Sequence, residues 1–139
     1  MFVKTIEYED FNGEKQKEEF RFNINKSELI KFDQSFDGGL ENYMARISNE
    51  RDNKLLSQLF EDMILISYGK KSDDGKVFLK NEKITEEFKC SAAYDALYWQ
   101  LMTDADAAAD FFTALIPSVP KEKRDELKLQ FKEQLNNSK

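Results

Sequence analysis

Apolar and polar positions change their period along the chain, and the changes mark out its elements. From Phe2 to Tyr8 the residues alternate in character, and Phe20, Phe22 and Ile24 alternate with Glu19, Arg21 and Asn23. A period of two belongs to a strand with one wet face. Two such runs around Asn12-Gly13 predict a β-hairpin. A two-residue turn centred on that pair would set Thr5 opposite Phe20 and Ile6 opposite Glu19, with the apolar rows on different faces. Bringing Ile6 and Tyr8 onto the face of Phe20, Phe22 and Ile24 requires a bulge or an odd-length loop, because a slip of one residue turns every side chain over. The expected register is therefore the shifted one.

Beyond Asn25 the period lengthens to that of a helix. Asn25 and Glu28 have capping-box spacing and open a helix to about residue 36, with Leu29, Phe32 and Phe36 on one side. After the break at Asp37-Gly38-Gly39, Leu40, Tyr43, Met44 and Ile47 form a second stripe, and Arg51-Asp52-Asn53 reads as a corner. Leu55, Leu56, Leu59, Phe60, Met63 and Ile64 form the most apolar stripe, with Gly69 expected at its C′ position. Lys71 to Lys76 is a polar turn built on Asp74-Gly75, and Val77-Phe78-Leu79 is a short extended piece. Asn81 is placed as the cap of a helix carrying Ile84 and Phe88, and Ser91 as the cap of the next.

In that next helix Tyr94, Leu97, Tyr98, Leu101 and Met102 recur at i, i+3, i+4, i+7 and i+8. Thr103 is expected to cap a following helix with Ala108, Phe111, Phe112 and Leu115 on it, with Asp104 and Asp106 at its positive end and Pro117 as its stop. Past Pro120, Leu127, Phe131 and Leu135 make a narrow stripe on a charged helix, a pattern that suits either docking or projection. The fold predicted is α+β and predominantly α-helical, an N-terminal β-hairpin packed on a bundle of about five to six helices. Residues 1–117 form one globular domain, with the hairpin in 1–24 and the helices in 25–117, followed by a charged helix in 118–139.

Composition narrows the function. Hydrophobic residues make up 40% and charged residues 35%, with only two prolines and five glycines, which suits a globular chain rather than a disordered one. Met63 to Ile66 is flanked by Asp62 and Lys70, too short an apolar run for a membrane span, and the first residues lack a signal-peptide core. The reading is cytoplasmic. A single cysteine, Cys90, forms no internal disulfide. The chain has no histidine, which removes Ser–His and Cys–His catalysis and the commonest transition-metal ligand. A net charge of −6 repels phosphate backbones, and Lys121, Lys123 and Arg124 are interleaved with acids, so no nucleic-acid partner is expected. Asp73 and Asp74 lack the closing glutamate of an EF-hand, and Asp104 and Asp106 read as ordinary helix N-terminal charges. Neither a catalytic site, nor a metal, nor a cofactor is called for.

What stands out is aromatic placement. Trp99 lies about 200° around the helix from Leu97, well off the apolar stripe, so it either packs on a second element or is presented outward. Phe111 and Phe112 are adjacent and cannot both face one partner. Tyr98, Trp99, Phe111, Phe112, Leu115 and Ile116 are the candidate partner-binding residues.

Ala93-Tyr94-Asp95-Ala96-Leu97, Leu101, Thr103-Asp104-Ala105, Ala107-Ala108-Ala109, Phe111 and Ile116-Pro117 resemble the closing signature of tail assembly chaperones from phages and prophages of Gram-positive bacteria. Gly38-Gly39-Leu40 and the stretch from Tyr68 to Phe78 are similar to the same group. The resemblance implies a non-catalytic, mostly helical protein made beside the phage tape-measure protein. It implies that the protein binds that chain, keeps it soluble while the tail tube forms, and is left out of the mature virion. It also leaves room for self-association and for the tail tube protein as a further partner. A structural tail or head–tail connector protein is the alternative. An acidic nucleic-acid mimic would need its carboxylates on one face, whereas lysine and arginine are interleaved along almost every helix here.

Overall fold

The structure is a computed structural model that describes residues 1–116 and 124–136. Strands β1 (Phe2–Glu9) and β2 (Lys15–Phe22) form the hairpin, with Phe2 paired to Phe22 and Tyr8 to Gln16. This is the shifted register: Ile6 and Tyr8 share a face with Phe20 and Phe22. A loop of odd length produces it. The Asp10 carboxylate accepts the N–H groups of Asn12 and Glu14, both at 2.9 Å, and Gly13 takes a left-handed φ of +80° that closes the turn. The side-chain amide of Gln16 also donates to Asp10 at 2.9 Å. That bond and the Glu14 N–H are the main reasons the Asp10 carboxyl is held below its usual range.

Six helices follow in the expected places: α1 (Lys26–Gln34), α2 (Gly39–Glu50), α3 (Asn53–Ser67), α4 (Glu82–Lys89), α5 (Ala92–Thr103) and α6 (Ala105–Leu115). A seventh, α7, covers Arg124–Asn136. The Glu28 carboxylate accepts the Asn25 N–H at 3.0 Å, the return arm of a capping box. Asp52, Asn81 and Ser91 cap α3, α4 and α5 through their side chains. The break before α2 depends on Gly38 and Gly39, at φ +76° and +87°, and Leu40 N–H donates to Asp33 at 2.8 Å across it.

Two expectations are corrected. Thr103 does not cap α6: it remains the last residue of α5 and donates its hydroxyl to the Trp99 carbonyl at 2.7 Å. Asp104 is the cap and accepts from Asp106 and Ala107. A carboxylate at this point also meets the positive end of α6. Gly69 is not a helix C′ residue, because α3 passes directly into strand β3 (Tyr68–Lys71). Its lack of a side chain serves close approach instead: a Cβ there would lie 2.6 Å from the Phe78 ring and 2.9 Å from the Leu79 carbonyl oxygen. Consequently the hairpin is not alone. Strand β3 pairs with β2, and β4 (Phe78–Leu79) with β3, in an antiparallel sheet of order β1-β2-β3-β4. Pro117 and Pro120, and the side chain of Leu135, lie outside the described residues.

One core joins the layers. Phe22 is fully buried among Phe2, Tyr68, Phe88 and Phe111, and the Tyr68 and Phe88 rings stack at 3.9 Å. Phe111 therefore faces the sheet. Phe112 faces the other way, onto Phe131 of α7, which also touches Phe60 of α3. At the edge of this core the Lys80 ammonium donates to the carbonyls of Asn23 (2.6 Å) and Ile66 (2.7 Å) and to both oxygens of Glu28 (2.8 and 2.9 Å). One half-buried cation thus ties the end of the sheet to α1 and α3.

Replacing Lys80 with Met keeps the stem and removes the donor that the Asn23 and Ile66 carbonyls and the Glu28 carboxylate share, so unfolding free energy is expected to fall by about 1–3 kcal/mol. Phe22→Ala should cost more, about 3–5 kcal/mol. Urea titrations followed by circular dichroism check both, and an effect at Lys80 equal to that of an exposed lysine such as Lys54 would contradict the tie.

Candidate functional site

Helix α5 is short of charge: Asp95 is its one charged residue among twelve. Its inner side, Ala93, Leu97 and Leu101, is fully buried against the core. A helix with so little charge is normally covered on all sides. Here it is not, because Trp99 projects from the outer side with 70% of its surface exposed. Half-buried Ala96 and Met102 stand one turn to either side of it, with Asp95 and Thr103 exposed beyond.

Tyr98 stands next to Trp99 and is half-buried. Its hydroxyl is hydrogen-bonded to the Ser57 hydroxyl and lies 3.4 Å from the Ser57 carbonyl, which fastens α5 to α3. Its ring lies over Tyr94 at 6.0 Å, and Tyr94 meets the Phe88 edge at 5.8 Å. A ladder of rings therefore runs from the core at Tyr68 and Phe88 out to Tyr98.

Of the six residues singled out from sequence, the structure brings Tyr98 and Trp99 together at the surface. Phe111, Phe112, Leu115 and Ile116 are in the core. The pair of adjacent phenylalanines divides between two internal neighbours rather than between core and partner. Ile30 of α1 and Leu129 of α7 are the other large hydrophobic residues left exposed on helices among the described residues. Periodicity could have flagged Ile30, which sits about 100° around the helix from Leu29 and outside the stripe of Leu29 and Phe32.

Behind the site, the contact between α3 and α5 is acidic. Burial pushes the Tyr94 phenol up to about 12, reinforced by Glu61 and then by Tyr98, Asp62 and Asp95. Burial likewise raises the Asp62 carboxyl, against the lowering effect of the Gln58 amide that donates to it at 3.0 Å. Lys89 pairs with Glu61 at 3.5 Å, so the acidic seam between α3 and α5 is only partly balanced. Among the described residues no group of three or more acidic or cysteine side chains is placed to hold a metal ion, and no helix is long and apolar enough to cross a membrane.

Compared with known proteins, the chain matches the family described as phage tail assembly chaperone over residues 1–138. No curated protein and no solved structure matches it.

Tyr94 supplies a test of the ring ladder. Because its folded pKa lies above the ordinary phenol value of 10.0, the contribution is whole below pH 10 and is lost as pH rises from 10 toward 12. Wild-type stability is expected to fall over that window more steeply than that of Tyr94→Phe, as read from urea midpoints at pH 8, 10 and 11. Equal slopes would mean that Tyr94 is not buried as described.

Proposed function

The chain belongs to the phage tail assembly chaperone family, and on that premise we propose that it binds the phage tape-measure protein through the outer side of α5. Its work is to cover apolar helical surface on that long client while the tail tube forms, with no bond chemistry. The observation that carries this reading is Trp99, an exposed indole on a helix almost without charge. A holdase needs apolar surface bordered by charge, so that it covers a client and stays dissolved. Trp99 beside Tyr98, with Asp95 exposed one turn away, has that composition. Tryptophan also brings large contact area at low conformational cost.

Magnitudes favour many weak contacts over one strong one. A few hundred Å² of apolar surface covered at about 25 cal/mol per Å² gives several kcal/mol before ordering costs. One site is then weak, and many copies along a long client hold it by avidity. The same surface serves contact between neighbouring copies, or with the tail tube protein. The protein acts in the host cytoplasm and leaves before the particle is finished.

Co-expression with the tape-measure protein of the same phage should raise the soluble yield of that protein and co-purify the two. Trp99→Ala should keep the fold, since the ring is outside, and lose most of the yield gain. If the variant protects the client as well as wild type does, the α5 site is wrong. Detection of the chain in purified virions by mass spectrometry would favour a structural tail or connector role instead.

A further inference from the structure

We propose that a second docking site, separate from α5, lies between α1, α2 and α7 and takes a basic amphipathic helix of another polypeptide. A groove of about 780 Å³ opens there, with Leu40, Phe112 and Leu127 in its floor and Leu29, Ile30 and Met44 on its walls. Its shape fits a helix rather than a compact ligand. On α2 the lining positions 41, 44, 45, 48 and 49 follow one side of the helix for about two turns. Positions 126, 127 and 130 of α7 line it over about one turn. Helix ridges of this kind accept the side chains of a third helix between them.

Two features specify the occupant. Ile30 is 59% exposed on the rim, where an isoleucine gains nothing from water, and Met44 beside it is the side chain best able to mould itself to an incoming surface. The described lining residues include three carboxylates, Asp33, Glu41 and Glu126, and neither lysine nor arginine. An apolar trough with an acidic rim matches a helix whose leucine-type stripe is bordered by lysine or arginine. A second copy of the chain fits poorly, since the chain itself carries a net charge of −6 and would bring more carboxylate to the rim.

The test uses the full chain and two fluorescent synthetic peptides with the same helical leucine stripe, one bordered by lysines and the other by glutamates. Fluorescence anisotropy should show saturable binding of the lysine peptide and at least about tenfold weaker binding of the glutamate peptide. Ile30→Glu, at an exposed position and checked for fold by circular dichroism, should weaken the lysine peptide by about tenfold or more. Glu41→Lys should narrow or reverse the preference between the peptides. Trp99→Ala should leave it unchanged, so failure here and failure of the α5 reading are separate results. The proposal is overturned by equal binding of the two peptides, by absence of saturation, or by binding that survives Ile30→Glu but not Trp99→Ala. A wild-type dimer that Ile30→Glu dissolves would also overturn it, by giving the groove to a second copy.

Discussion

Five rings hold the two layers of this protein together: Phe20 and Phe22 from the hairpin, Tyr68 from β3, Phe88 from α4 and Phe111 from α6. Each comes from a different element except the first pair, so every element that contributes is positioned by the others. Burial of large rings is the dominant gain available to a domain of this size. Tilted and edge-on contacts at ring-centre distances of 5.5–6.3 Å, with one stacked pair, give that burial a definite geometry. The hairpin register follows from the same constraint. A slip of one residue would put Ile6 and Tyr8 on the opposite face from Phe20 and Phe22.

Helix α6 transmits the arrangement to the rest of the chain. Its two adjacent phenylalanines face opposite ways, one into the ring cluster and one onto α7, so α6 has no outer apolar face left over. Ala108 and Ala109, both fully buried, allow close approach on each side. Lys80 fixes the far edge. Its ammonium lies 5.6 Å from the centre of the Phe78 ring and supplies a donor to two backbone carbonyls and to the Glu28 carboxylate.

Rigidity at the core has a consequence for binding. Tyr98 ends a ring ladder anchored in that core, so the helix that carries the indole is held in place. Ordering costs on association are therefore small on this side of the interface. The described lining of the α1–α2–α7 groove carries carboxylates and no lysine or arginine, which favours a basic occupant there.

Much of this is visible in the chain before folding. Alternation near the N-terminus, the capping residues Asn25, Asn81 and Ser91 and the apolar stripes of α3 and α5 place nearly every element, because local hydrogen bonding and periodicity decide them. Even the displacement of Trp99 from its stripe can be read there. Strand β3 could not, since Tyr68-Gly69 follows a helix without any turn signal and becomes a strand only because β2 offers it a free edge. Nor could Thr103 and Asp104 be ranked as caps from their chemistry, as both are good ones. The destination of Phe111, Phe112, Leu115 and Ile116 lay equally beyond reach. A helical pattern says which residues want to leave water but not what covers them, and it was the packing of the sheet on one side of α6 and of α7 on the other that enclosed those four while leaving the indole outside.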